Sequence, residues 1–177
     1  MEYKRTNGGI LMPDTKLLLG GKFIGQLVRD GKIIDEWEDN NLVTNEGLDH
    51  VLDVIFHGGT QVGTWYLGVF EGNYTPVATV TAATITSAST ECTAYDESTR
   101  QAYVEAAPSS QSITNSANKG TFTFNATKTI YGAFLASASA KSATSGTLLA
   151  AARFSSSKAV VDNDQLLLTY TFGASSV

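Results

Sequence analysis

An all-β sandwich is the fold class this sequence predicts, on three observations. Between residues 119 and 172 short alternating apolar segments follow one another with turn residues between them. Phe122 and Phe124 alternate with Thr121 and Thr123; Ile130, Gly132 and Phe134 alternate with Tyr131, Ala133 and Leu135; Asp162-Asn163-Asp164 then turns the chain into 165–172. Period two with β-branched and aromatic residues specifies strands. The second observation is Asp30-Gly31 between the apolar runs 23–29 and 32–37, a dipeptide that accepts positive φ at both turn positions and so favours a two-residue hairpin. Thirdly, only one segment carries a helical period, and 177 residues are enough for one domain with its own core.

Taken in order, residues 1–22 show neither a helical nor a strand period. Glycine pairs Gly8-Gly9 and Gly20-Gly21 flank small apolar clusters, Ile10-Leu11-Met12 and Leu17-Leu18-Leu19. Apolar clusters on flexible ground need a surface to bury them, so 1–22 is expected to be an extended N-terminal arm that docks on a neighbouring subunit through Ile10, Leu11, Met12, Leu17, Leu18 and Leu19. The alternative is an edge strand of its own domain. Residues 23–177 form the single sandwich domain in this reading. Asp35, Glu36, Glu38 and Asp39 end the first hairpin; adjacent strand residues face opposite ways, so they read as a solvated rim rather than a cation site.

The helix is expected near 45–57. Leu48, Val51, Leu52, Ile55 and Phe56 fall at i, i+3, i+4, i+7 and i+8 and make one apolar stripe. Thr44 or Asn45 can cap it, Glu46 and His57 suit its two ends, and Gly58 supplies a left-handed stop. Burying the five side chains contributes about 8 to 15 kcal/mol before ordering entropy, so the helix is expected to close one side of the sandwich. His50, Asp53 and His57 share the opposite face, a spacing open to zinc but equally the polar outer face every such helix has.

Residues 64–70 read as a strand buried on both faces, with Gly68 marking a bulge or a close backbone approach. Trp65, Tyr66 and Tyr74 suit a sugar-stacking platform if their faces stay in solvent; within an apolar strand they are more often core. Residues 77–93 alternate Thr with Ala, Val and Ile in a weak β pattern, 94–100 are turn-like, 101–106 return to strand and 108–118 form a Ser/Asn/Gln loop. The total is about nine or ten strands.

Composition excludes some function classes. A net charge of −5, with no basic cluster beyond Lys4-Arg5, is unsuited to tracking phosphates, so nucleic acid is not an expected partner. No apolar run approaches a membrane span, nothing resembles an export signal, and synthesis in the cytoplasm is expected. Cys92, the single cysteine, reads as a small buried hydrophobe. Beyond residue 100 the charged residues are only Glu105, Lys119, Lys128, Lys141, Arg153, Lys158, Asp162 and Asp164, and Ser, Thr and Ala fill the rest. Such a surface is desolvated cheaply and suits packing against copies or partners, or it is simply a solvated loop surface.

No nucleophile elbow, P-loop, H-E-x-x-H or C-x-x-C occurs. Glu91, Asp96, Glu97 and Glu105 offer carboxylates without a defined pair, and Asp162-Asn163-Asp164 suits a tight turn better than a calcium loop. No catalytic residue, metal ligand or cofactor site is assigned, and an enzyme is not expected.

The string Asn41-Leu42-Val43-Thr44-Asn45-Glu46-Gly47-Leu48, then Gly58-Gly59-Thr60 leading into Trp65-Tyr66-Leu67-Gly68-Val69-Phe70, Asn73-Tyr74-Thr75-Pro76, and later 129–135, 145–154 and 164–170, resembles virion structural proteins of tailed bacteriophages, most closely capsid cement (decoration) proteins. The resemblance covers most of the chain from Asn41, and related strings occur in phage tail and collar proteins. It implies a jelly-roll-like β-sandwich on the exterior of the capsid, with the major capsid protein and copies of itself, as dimer or trimer, for partners. It brings no catalytic residues. The alternative it leaves is a tail-fibre or collar protein that binds host glycans through Trp65 or Tyr74.

Overall fold

The computed structural model describes residues 17–176, together with the backbone of 4–6 and 9–11. Strands β1 (Lys4–Thr6) and β2 (Gly9–Leu11) form a two-stranded sheet of their own. Then come β3 (Leu17–Arg29), β4 (Lys32–Asn40), β5 (Leu42–Val43), and helix α1 (Asn45–Leu52), which continues as a π-helical turn (Asp53–His57). After β6 (Trp65–Phe70) follow helix α2 (Ala82–Ala88), β7 (Gln101–Tyr103), β8 (Ser112–Thr114), β9 (Gly120–Thr123), β10 (Lys128–Ala136), β11 (Leu148–Val160) and β12 (Gln165–Ser176). Ten strands make two antiparallel sheets, ordered β4-β3-β12-β8 with β9 also on β12, and β5-β11-β10-β6-β7. The protein is an all-β sandwich in which the chain changes sheet after β4, β7, β9 and β11.

The sheets enclose a core in which Phe23, Leu27, Phe122, Leu166, Leu168 and Tyr170 from one side meet Leu67, Val69, Ile130, Leu135, Phe154 and others from the second. Cys92 is buried in it, where desolvation pushes its thiol pKa up, as expected of a small hydrophobe. The Asp30-Gly31 hairpin forms as read, with φ of 50° and 73° at the two turn residues. The acids beyond it diverge: Glu36 accepts from Gln26 and Glu38 from Lys22, while Asp35 pairs with Lys158 and Asp39 accepts from the Ser155 amide.

β6 is buried on both faces over Leu67, Gly68, Val69 and Phe70 because a second cluster lies outside its sheet. There Phe70, Phe134 and Ala151 meet Val80, Ala82 and Ile85. That finding corrects the β reading of 77–93. Thr81 and Thr84 cap each other's backbone and start α2, and Ala82 and Ile85, at i and i+3, lay one apolar face on the sheet.

A second correction concerns α1. Its period is as read, and Thr44 caps it through the Gly47 amide at 3.0 Å while Gly58 stops it at φ 78°. Its apolar stripe is not buried. Leu52 is 55% exposed, Ile55 61% and Phe56 80%, and of the five only Val51 packs on the core. The cause is the way the first turn is anchored. Gly47 lies so close to the Leu149 backbone that a Cβ would collide with it, and Glu46 reaches the amides of Leu148 and Ala82 at 2.7 and 2.8 Å. These contacts fix the helix at its N-terminal turn and leave the rest of its stripe uncovered. One buried side chain contributes about 1.5 to 3 kcal/mol, a fraction of what five would.

In residues 1–22 the sequence shows no strand period, yet β1, β2 and the start of β3 fall there. Leu17, Leu18 and Leu19 pair with Ser176, Ser175 and Ala174 in a ribbon continuous with the sandwich sheet. β3 runs through the position 22/23 without interruption.

The turn at 162–164 forms, with Asn163 at φ 67°. Asp164, 1% exposed, accepts from the Val161 amide and takes two bonds from the Arg29 guanidinium, Nε to Oδ1 at 2.8 Å and Nη2 to Oδ2 at 2.6 Å. The hydrogen bond from Arg29 holds the Asp164 carboxyl below the usual carboxylate range. A carboxyl with a depressed folded pKa stabilises the fold above its unfolded pKa, and that stability goes as pH falls through the folded value. Asp164→Asn should therefore cost about 1 to 2 kcal/mol at neutral pH, allowing for the partly exposed Arg29. Thermal unfolding of both proteins from neutral into acid should show the gap closing below the carboxylate range; a gap constant with pH would contradict the assignment.

Candidate functional site: an aromatic cleft beside the exposed helix

Where α1 and its π-helical turn leave the sandwich, a cleft of about 410 Å³ opens between them and the ends of β6, β7, β8 and β12. Trp65 enters from the first residue of β6, Tyr103 from the last of β7, and Tyr170 and Phe172 from β12. Alternation on β12 turns 170 and 172 to the same side, and their rings stack at 6.4 Å. Tyr103 meets Tyr170 edge-on at 5.8 Å, and His50 of α1 meets Trp65 edge-on at 5.5 Å. Ile55 forms the outer wall.

Polar groups are few and distinct. The Tyr170 hydroxyl accepts from Asn41 Nδ2 at 3.2 Å. Tyr103 is 5% exposed, and its hydroxyl is buried without a hydrogen-bond partner among the described residues. Burial pushes the pKa of both phenols up, so both stay protonated and neutral. Glu105, exposed, lies at the rim. A cleft of this size and character accepts an apolar or aromatic group of side-chain to small-ligand dimensions.

Sequence reading reached Trp65 but not Tyr103, Tyr170 or Phe172. Trp65 is half-buried against the core, while Tyr74 lies half-buried beside Phe70 and Phe134, so the two do not share a platform. Of the expected arm anchors, Leu17 and Leu18 are exposed on the β3 ribbon and Leu19 is half-buried. Ile10 and Leu11 lie on β2, and their side chains, with all of Met12, fall outside the described residues. His50, Asp53 and His57 do not converge: among the described residues no three His, Cys, Asp or Glu side chains cluster to hold a metal ion. The carboxylates Glu91, Asp96 and Glu97 are engaged elsewhere, with Arg100, Asn125 and the Thr123 amide. No helix among the described residues is long and apolar enough to cross a membrane.

Fold and cleft together define a two-sheet β-sandwich carrying one aromatic cleft and one uncovered apolar helix face. The sequence matches no protein-family model and no curated protein.

Proposed function

We propose that the protein is a non-enzymatic virion structural protein of a tailed bacteriophage: a cement or decoration protein that binds the capsid exterior, bridges capsomers and contacts both the major capsid protein and copies of itself. The observation that carries this reading is the line of large apolar side chains left in solvent on one helix, Leu48, Leu52, Ile55 and Phe56, joined by Leu17 and Leu18 on the ribbon and Ile33 and Ile34 on β4. Contiguous exposed apolar surface of this kind marks association. Several such patches on one small sandwich suit a protein with more than one neighbour. Many copies burying modest area in one lattice add small contacts into a large resistance to internal pressure. The resemblance of 41–48, 58–76 and the later strands to cement proteins supports the same reading.

Quantitative mass spectrometry of purified particles tests it. The expected ratio of this chain to the major capsid subunit is near one or a simple fraction of it. A few copies per particle would instead favour the tail-fibre or collar reading, in which Trp65 in its cleft meets a host glycan. Absence from particles would end both.

A further inference from the structure

We propose that the amino-terminal hairpin, residues 4–11, of one copy docks on the aromatic cleft of a second copy, seating Ile10 or Leu11 against Ile55 and Trp65 and setting Lys4 and Arg5 against the acidic face of α1. This deepens the proposed function by naming a contact between copies; it rests on the arm-docking part of that reading and not on the capsid partner.

Three observations converge on it. β1 and β2 pair with each other, Lys4 opposite Leu11 and Arg5 opposite Ile10, and with no strand of either sandwich sheet. A lone two-stranded hairpin is marginal in water and needs another surface to cover it. The register makes each face of the hairpin offer one cation beside one branched apolar residue.

The cleft offers the matching pair. Ile55 is 61% exposed at its wall, and Asp49 and Asp53 are exposed on the adjoining helix, with Glu105 at the rim. Lys4-Arg5 is the only adjacent pair of basic residues in the sequence. Opposite charges around an apolar anchor set register and speed encounter.

The ribbon decides between the chain's own cleft and a neighbour's. Phe172 lines the cleft and pairs with Gly21, and β3 and β12 continue together to the Leu17–Ser176 pair. Four residues of strand are about 13 Å. The hairpin is thus attached beyond the cleft, on the side facing away from it, and six residues further up the chain.

Sedimentation velocity on the full chain over a wide concentration range tests the inference. Self-association is expected, weakening as salt is raised. Ile10→Asp with Leu11→Asp, and separately Ile55→Asp, should each weaken it at least about tenfold, because a charge replaces an apolar anchor. Mixing the two variants should restore association, since the intact hairpin of one meets the intact cleft of the other. A synthetic peptide of residues 3–12, added to the Ile10→Asp/Leu11→Asp protein, should shift tryptophan fluorescence saturably, and Ile55→Asp should abolish the shift. A full chain that stays monomeric at every concentration, or an Ile55→Asp protein that associates like the parent, overturns the proposal. So does a peptide that leaves the fluorescence unchanged. None of these readouts depends on finding the chain in a particle, so the hairpin contact and the capsid reading stand or fall separately.

Discussion

Arg100→Met is expected to cost about 3 to 5 kcal/mol of stability, the penalty for stranding one member of a buried ion pair. Arg100 and Glu91 are each 1% exposed and meet in a two-pronged contact, Nε to Oε1 at 2.9 Å and Nη2 to Oε2 at 2.8 Å. The pair organises more than itself. Arg100 also donates to the carbonyls of Ala138 and Ala143, and Glu91 accepts from the Ser142 amide. These contacts hold the loop between β10 and β11, in which Ser142 has φ 59°, with the guanidinium lying 4.9 Å over the Phe134 ring. Replacing Arg100 leaves a carboxylate and three backbone groups without partners in a dry site. Adding Glu91→Leu should recover part of the loss, because both charges are then gone. Urea unfolding reads the effect as a lowered midpoint. A single variant within about 1 kcal/mol of the parent, or a double variant worse than the sum of the two singles, would show that the pair is not the brace described.

Much of the architecture was legible because its signals are local. Asp30-Gly31 specifies its turn whatever surrounds it, and the run from Trp65 to Phe70 is apolar on both faces because both are covered. α2 was not legible for the converse reason. Thr, Ala, Val and Ile in 77–93 carry β propensity, and what selects a helix is the bare outer face of the β10–β6 sheet, which Ala82 and Ile85 cover. Tertiary context overrode propensity there. For α1 the period was right and the burial wrong, since periodicity gives a stripe but not the surface it meets; the contacts of Glu46 and Gly47 that decide this reach residues about a hundred positions away. The cleft has the same origin, because Trp65, Tyr103 and Tyr170 are neighbours only through strand order. One local signal was available and passed over: Asn7-Gly8, between β1 and β2, is a dipeptide favoured in two-residue hairpin turns.

Gly132→Ala is expected to be as damaging as the loss of Arg100, and less reparable than Gly68→Ala. Across the β10–β6 pair, Gly132 stands opposite Phe70 and Phe134 opposite Gly68, so each phenylalanine ring covers the glycine facing it. A glycine under an aromatic ring in a sheet is a space filled from across the ladder. The two are not equivalent. A Cβ at Gly68 would meet only the Phe134 ring, whereas a Cβ at Gly132 would meet the Phe70 ring and the Ala152 carbonyl oxygen as well. A side chain can move or be trimmed; a paired strand cannot shift without breaking its ladder. Gly68→Ala should therefore cost about 1 to 3 kcal/mol, the usual range of overpacking, and Gly132→Ala more than that. Phe134→Leu should then rescue Gly68→Ala, giving a favourable coupling of about 1 kcal/mol or more in a double-mutant cycle, while Phe70→Leu should leave most of the Gly132→Ala cost in place. Denaturant unfolding of the two cycles measures both couplings. Equal rescue in both would mean that the rings alone set the spacing, and the role given to the Ala152 backbone would be wrong.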